Sequence, residues 1–264
     1  APTSPIRAPT KRRGNEIAMN VEINGAPIYF ELFGCIPITA TMVVSWGIMI
    51  ILTGLCIWLT RDLKVQNVSK RQAVAEFLVK TAEKFVNTNM GPKFAHYVPF
   101  VAALFCLSVF SSLSSLIGCF SPTADLSTTL AWAIVVFIMI TATKIRTGSL
   151  GGYLLGFTKP IPVLTPFNVI SECATPISMA FRHFGNIASG MVISTLVYAA
   201  LTVANQALFG LLPGLLGDIL GSIPFLTVGV PAFLSLYFDW FSSFMQAFIF
   251  CMLTTLYIAN AAEE

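Results

Sequence analysis

Long uncharged apolar stretches dominate this chain and leave few folds open to it. Hydrophobic residues make up 56% of its 264 residues, charged residues only 10%, and the mean hydropathy is +0.80. Soluble domains carry about 25% charged residues, so this composition excludes an ordinary soluble domain. A helix of about 18 or more apolar residues can cross about 30 Å of hydrocarbon. The sequence therefore predicts an all-α polytopic membrane protein.

Five apolar stretches are candidates for membrane helices. The predicted spans are about 38–59, 97–117, 128–143, 166–205 and 224–260, all within a single integral membrane domain of residues 34–264. Residues 1–33 are polar and proline-rich, and we expect a loosely ordered tail outside the membrane. The chain begins at Ala1, and we expect that an initiator methionine or a leader has been removed.

Basic residues cluster in two connections and set the predicted orientation. The loop 60–96 holds seven of them: Arg61, Lys64, Lys70, Arg71, Lys80, Lys84 and Lys93. Lys144, Arg146 and Lys159 lie around a Gly-rich stretch that we expect to be a second loop. Basic loops stay in the cytoplasm, so the N-terminus is predicted outside and the C-terminus in the cytoplasm. Apolar residues at helical spacing within 69–91 also predict an amphipathic helix on the cytoplasmic membrane surface.

The last two apolar stretches are too long for one upright crossing. At 1.5 Å per residue, helices over 166–205 and 224–260 would be roughly 60 and 55 Å long, nearly twice the hydrocarbon thickness. Each stretch could be two spans joined by a tight turn, or one steeply tilted helix. Residues 208–222 between them are Gly-rich and are predicted to form a hairpin connection. The residues alone leave both alternatives open.

Arg182 is the only basic residue between Lys159 and the C-terminus. Placing an arginine at the centre of a membrane helix costs about 2.5–3.5 kcal/mol on insertion scales, so an intramembrane arginine is a functional hypothesis by default. Its guanidinium stays protonated in proteins. Any function of Arg182 therefore uses a permanent positive charge.

Polar residues form one narrow stripe on each of the two long stretches. The first stripe comprises Asn168, Glu172, Thr175, Ser178, Arg182, Asn186 and Ser189, and the second Ser235, Asp239, Ser242, Ser243, Gln246 and Tyr257. Small polar residues often only hold membrane helices together. The charged residues in both stripes favour an aqueous path or a facing partner instead.

Asp239 and Glu172 are able to exchange protons or hold a cation. Glu172 precedes Arg182 by ten residues, about 15 Å of helix, so we expect no direct salt bridge between them. Asn186 and Gln246 are suited to position the guanidinium by hydrogen bonds. His183 points about 100° away from Arg182 and is predicted to be a packing histidine.

Four segments of the chain resemble one known family. FRHFGNIASG (181–190), SSFMQAFIFCMLTTLYIANA (242–261), YLLGFTKPIPVLTPFNVI (153–170) and the segment from Phe33 to Thr39 are similar to subunit a of bacterial F-type ATP synthases. The resemblance implies a stator subunit of the bacterial cell membrane that lies against the ring of c subunits. It also implies the peripheral-stalk b subunits and, indirectly, the F1 head as partners. Finally, it implies that the last two helices form a long, tilted hairpin.

The resemblance also assigns roles to individual residues. It identifies Arg182 with the family's essential arginine and makes Asn186 and Gln246 its companions. Asp239 corresponds to a position in the ion-access channel, and Glu172 lies in the region where relatives have a channel acid. We assign Asn168, which belongs to the same stripe as Glu172, to the ion path as well. Met191 stands where relatives often have Glu or His, and His183 where they usually have Leu.

The resulting hypothesis is an ion-translocating stator in which Arg182 separates two half-channels. A cation, H⁺ or Na⁺, would come from outside past Asp239 and Glu172 to a ring carboxylate and leave on the cytoplasmic side. No GxxxxGK[ST] loop is present, so we expect no ATP hydrolysis by this chain itself, and no metal, cofactor or nucleic acid. The alternatives are a secondary transporter that binds an anionic substrate at Arg182 and a purely structural scaffold.

Overall fold

Six α-helices form most of the computed structural model, which describes residues 27–32, 36–61, 63–65, 69–158, 161–209, 233–234 and 236–263. The helices are α1 (Ala40–Thr60), α2 (Lys70–Met90), α3 (Val98–Leu113), α4 (Leu126–Gly156), α5 (Thr165–Phe209) and α6 (Ser242–Glu263). A π-helical turn, Leu236–Phe241, directly precedes α6. Within the described residues, five helices are long and apolar enough to cross a membrane. The prediction of an all-α polytopic membrane protein is confirmed.

Two short strands precede α1 and were not predicted. β1 (Ile28–Leu32) and β2 (Ile36–Thr39) pair antiparallel, and the Ala40 amide donates a hydrogen bond to the Pro27 carbonyl oxygen at 2.8 Å. Strands of five and four residues are too short to show a clear alternating pattern in sequence. The strand pair holds the start of α1 against the segment before it.

The observed helix α4 is longer than the span predicted from sequence. It continues from Leu126 through the Gly-rich stretch to Gly156, where we expected a loop. One residue, Ser149, interrupts it with φ 64° and ψ 156°, and a non-glycine residue rarely adopts a positive φ. Its side chain accepts a hydrogen bond from the Gly152 amide at 3.5 Å, so the helix restarts directly after the break.

Helix α5 is one continuous helix of 45 residues that includes Pro176. This continuity excludes the alternative of two spans with a tight turn between 166 and 205. At 1.5 Å per residue the helix is about 67 Å long. Residues 208 and 209 of the predicted hairpin connection belong to α5, and the rest of it, with the first residues of the predicted span 224–260, lies outside the described residues.

A helix, α2, lies where the sequence predicts one, while its amphipathic placement on the membrane surface stays a prediction. It begins after Ser69, whose side chain accepts a hydrogen bond from the Gln72 amide, and ends at Gly91, which has φ 87°. Val86 is fully buried against the bundle, whereas Phe77 is 68% exposed. The helix therefore has one face on the bundle and another that is open to the surroundings.

The centre of the bundle is built around α6. Phe250, Cys251 and Ile258 of this helix are at most 2% exposed and pack against buried residues of α2, α3, α4 and α5. By contrast, α1 lies at the periphery and exposes Ile50 and Ile57. In a membrane protein such exposed apolar side chains suit contact with lipid. The polar side chains of α5 and α6 are thus set into an apolar framework.

Candidate functional site

Arg182 lies near the middle of α5, on a side of the helix that faces away from the bundle. Its side chain is exposed together with those of Ser178, Asn186 and Ser189, whereas Ala180 is fully buried. Residues three and four apart share one face of a helix, so these four polar residues form an outward strip. Among the described residues, none forms an ion pair or a hydrogen bond with the guanidinium. The outward strip therefore presents a fixed positive charge.

Asn186 and Gln246 join α5 to α6 one turn beyond Arg182. The Asn186 side-chain amide donates to Gln246 Oε1 at 3.2 Å, and Ser242 Oγ donates to Asn186 Oδ1 at 3.3 Å. Gln246 is only 3% exposed. The structure thus brings together the two amides predicted from sequence, but they bond to each other and not to the guanidinium. Ser242 was in the predicted stripe but had been assigned no partner.

Glu172 forms an ion pair across two helices. Lys144 Nζ of α4 lies 3.3 Å from Glu172 Oε2, and the two side chains are 19% and 20% exposed. As expected, the carboxylate does not pair with Arg182. From the sequence, Lys144 was used only to predict the orientation of the chain in the membrane, and its pairing with Glu172 was missed. The available signal was its position directly after the apolar stretch 128–143, at the depth where a long amine can still reach a neighbouring helix.

Asn168 lies one turn before Glu172 and has a structural contact. Its side-chain amide donates to the Phe157 carbonyl oxygen at 2.8 Å, at the end of α4. This bond satisfies one of the carbonyl groups that a helix end leaves without an intrahelical partner. Asn168 therefore links the ends of α4 and α5 close to the Lys144–Glu172 pair.

Asp239 lies in the π-helical turn before α6 and is half-buried. π-helical turns are rare and often occur at functional sites. The neighbouring Phe238 lies against Gly190, where a Cβ atom would be 3.4 Å from the Phe238 ring. Gly190 follows Arg182 by eight residues, about 12 Å along α5. The turn that holds Asp239 is thus beside α5 beyond Arg182.

The two carboxylates consequently lie on opposite sides of Arg182 along α5. Glu172 precedes the arginine by about 15 Å and pairs with α4, whereas Asp239 is next to a residue that contacts α5 about 12 Å after it. These contacts do not test the expectation that an ion passes both on its way in from outside, which stays a prediction. Helical periodicity predicted the shared face of the stripe residues, but it contains no information on which neighbouring helix each residue meets.

His183 is in the core, as predicted for a packing histidine. It is 0% exposed, and its Nε2 lies 3.3 Å from Ser108 Oγ of α3 in a hydrogen bond whose direction depends on the tautomer. Its ring packs edge to face against Trp132 and Phe250, with centroid distances of 6.0 and 5.4 Å. The residue after Arg182 is thus held by three neighbouring helices.

Comparison with known proteins shows similarity of this chain to one family. Residues 42–259 match the model of the ATP synthase A chain family. "ATP synthase subunit a 1" of Chlorobium luteolum is 30% identical over 245 residues, which cover 92% of this chain and 98% of the relative. The protein of the same name from Chlorobaculum tepidum is 32% identical over 232 residues, 87% of this chain and 93% of the relative.

A third relative has an ion in its name. "ATP synthase subunit a, sodium ion specific" of Propionigenium modestum is 29% identical over 244 residues, which cover 86% of this chain and 75% of the relative. The match to the family model extends from α1 to α6 and includes Arg182, Asn186, Asp239 and Gln246. On this similarity, together with the five apolar helices, the chain belongs to the ATP synthase A chain family.

Proposed function

We propose that this chain is the ion-translocating stator subunit of the membrane sector of a rotary ATP synthase. Arg182 separates two half-channels that bring a cation to the ring of c subunits and take it away. The chain catalyses no reaction by itself, and the ATP chemistry belongs to the F1 head. The further partners are the peripheral-stalk b subunits and the lipid of a bacterial cell membrane.

The observation that supports this proposal most directly is the exposed guanidinium of Arg182. A permanent charge facing lipid at the middle of a membrane helix would be costly, so the outward strip needs a polar or anionic neighbour. A ring of subunits that each present a carboxylate provides such neighbours in turn. As a loaded carboxylate approaches Arg182, its ion leaves into a half-channel, and the emptied carboxylate is then attracted to the guanidinium.

The same charge opposes a direct leak between the half-channels. At 4 Å and an effective dielectric constant near 20, a cation beside the guanidinium is repelled by about 4 kcal/mol. About 1.4 kcal/mol corresponds to a factor of ten, so the leak is reduced roughly a thousandfold. The ion must therefore travel on the ring, which couples its passage to rotation.

The positions of the carboxylates suggest which half-channel each one serves. We assign Asp239 to the path from outside, and Glu172, with Lys144 and Asn168, to the path on the cytoplasmic side. The positive-inside rule, applied to the basic loops, supports this orientation because Glu172 pairs with Lys144, a residue of the basic segment that also contains Arg146. It places the N-terminus outside and the C-terminus in the cytoplasm.

The secondary-transporter alternative predicts a membrane helix that is broken at the substrate site. Helix α5 is unbroken from Thr165 to Phe209 and so passes Arg182 without interruption. This continuity argues against a half-helix site for an anionic substrate at the arginine. The scaffold alternative differs in its prediction for substitution, because a scaffold would tolerate the loss of the charge.

The decisive experiment replaces Arg182 in the assembled complex. In vesicles with an imposed ion gradient, R182A should abolish ATP synthesis. R182K keeps the charge but loses the planar fork of donors, so its rate of synthesis should lie between those of R182A and the original protein. S189A is the matched control because Ser189 belongs to the same outward strip and has no charge. ATP synthesis by R182A at the rate of S189A would contradict the proposal.

Two further measurements identify the partners and the ion. Copurification of this chain with a c-ring and the catalytic head distinguishes a rotary synthase from a free transporter. Dependence of synthesis on Na⁺ at constant pH distinguishes Na⁺ from H⁺ as the transported ion. One relative is named as sodium ion specific, so both ions remain within the range of the family.

A further inference from the structure

We propose that His183 is a positioning residue that fixes the rotation and depth of α5, and thereby the place of the Arg182 guanidinium. The inference rests on the proposed function of Arg182. It assigns to His183 no contact with the ion or with the ring. Its role is exerted through the helix that it shares with the arginine.

The contacts of His183 are suited to this role because they reach three helices at once. Nε2 lies 3.3 Å from Ser108 Oγ of α3, and the ring packs against Trp132 of α4 and Phe250 of α6. The side chain is 0% exposed, so any movement of α5 must displace these neighbours.

Burying an imidazole costs free energy because its ring nitrogens are polar, so the presence of histidine at this buried position needs an explanation. Among the described residues, none makes a hydrogen bond to Nδ1 of His183, although the atom is buried. A buried polar atom without a partner costs about 1–3 kcal/mol, which an apolar side chain of similar size would avoid. What the imidazole adds is a directional bond to Ser108. Apolar contacts allow sliding and rotation, whereas a hydrogen bond fixes one pair of atoms.

The geometry of a helix transmits this constraint to the next residue. Consecutive residues differ by about 100° and 1.5 Å, so Arg182 is outward when His183 is inward and held. A group about 5–6 Å from the helix axis moves by about 2 Å when the helix rotates by 20°. Displacements of about 1 Å at a reacting centre are able to cost as much as a factor of 100 in rate. The His183–Ser108 bond is therefore placed to control the approach of Arg182 to ring carboxylates.

The test measures ATP synthesis per assembled complex, with the amount of this chain in the complex determined separately. H183L and S108A should each lower the rate about threefold to tenfold, as expected for losing a hydrogen bond between membrane helices that sets the position of a reacting group. The double variant H183L/S108A should be no slower than the slower single variant. H183Q should remain near the original rate, because the Gln amide is as many bonds from Cα as Nε2 of histidine.

S112A is the matched control for the loss of a buried serine on α3. Ser112 is 1% exposed and pairs with Thr123 at 2.9 Å, not with His183. Its rate per complex should be unchanged. A purely structural role of His183 would lower the amount of assembled complex and leave the rate per complex intact.

Several results would overturn the inference without touching the role of Arg182. They are an unchanged rate per complex in H183L or in S108A, additive effects in the double variant, or a loss in H183Q as large as in H183L. If H183L does not assemble, S108A compared with S112A decides alone. Failure of the proposed function itself would be recognised by an active R182A complex, whatever the His183 variants do.

Discussion

The regions on the two sides of Arg182 differ in how they hold a carboxylate. On one side, Glu172 lies in regular α-helix and is matched by a Lys144 ammonium 3.3 Å away on another helix. On the other side, Asp239 lies in a π-helical turn at the start of α6, beside Gly190. A carboxylate that is paired with a cation contributes little net charge to its surroundings. A π-helical turn directs its side chains differently from a regular α-helix. The two acids therefore have different surroundings in the structure.

On this difference we base the proposal that the sites before and after the arginine have separate tasks. The Lys144–Glu172 pair, only one-fifth exposed, is suited to hold α4 against α5 and to keep the local charge near zero. Asp239 is suited to exchange an ion because its carboxylate is half-buried in an irregular turn beside α5. The predictions that follow test this division of tasks, beginning with the largest effect.

Replacing Asp239 by Asn should produce the largest loss among the acids. Proton transfer by a positioned acid or base contributes roughly 10²–10⁴-fold, and an Asn side chain has no group that could take part. We therefore expect ATP synthesis driven by an imposed gradient to fall at least about a hundredfold in D239N. D239E, which keeps the carboxylate, should retain a substantial part of the rate. A D239N complex as active as E172Q would remove the proposed difference between the two sides.

Replacing Glu172 by Gln should lower ATP synthesis less than D239N does, and the additional substitution K144M should restore most of the rate. E172Q removes the carboxylate of the Lys144–Glu172 ion pair, and we expect a loss of about twofold to fivefold, because partly exposed ion pairs contribute up to about 1 kcal/mol. In the double variant K144M/E172Q both charges are absent, and most of the rate should return. A double-mutant cycle on ATP synthesis measures this coupling. Additive losses from K144M and E172Q would instead mean that Glu172 acts on the ion directly.

The division between the two sides also separates what sequence could and could not predict. The long apolar runs predicted the helices, and the 3.6-residue period predicted that Arg182, Asn186 and Glu172 share a face with small polar residues. Both are properties of one helix, and a single helix can be derived from its own residues. The pairing of Lys144 with Glu172 depends on how α4 packs against α5, which local periodicity does not determine.

Irregular backbone was the other feature that could not be predicted from the sequence. The Gly-rich stretch after Arg146 suggested a loop, yet α4 continues through it with a single break at Ser149. Similarly, the apolar stretch before Gln246 suggested a uniform helix, whereas Asp239 lies in a π-helical turn. Both depend on a few hydrogen bonds whose alternatives are close in energy, and neighbouring helices decide between them. One missed detail thus lies within α4 and the other directly before α6, in the turn that holds Asp239.

The amide pair between the two sides should give the smallest effect, and its size distinguishes positioning from packing. Asn186 donates to Gln246 and accepts from Ser242, so N186L removes both bonds and leaves the buried Gln246 amide without this partner. We expect ATP synthesis to fall about threefold in N186L, equivalent to about 0.6 kcal/mol for a hydrogen bond between membrane helices. S242A removes only the weaker outer bond and should change the rate by less than about twofold.

Comparison of these two variants with Q246L shows whether the amide pair only joins α5 and α6 or also orients the outward strip. Gln246 is 3% exposed, so a leucine of similar size replaces a buried amide with an apolar group and leaves the space filled. If the amides serve only to join α5 and α6, Q246L should be as active as S242A, because apolar contacts replace the lost bond. If they orient the outward strip around Arg182, Q246L should lose activity together with N186L, although the complex assembles in normal amounts. We expect the second result, because the bond lies one helical turn from the arginine and on the side of Asp239.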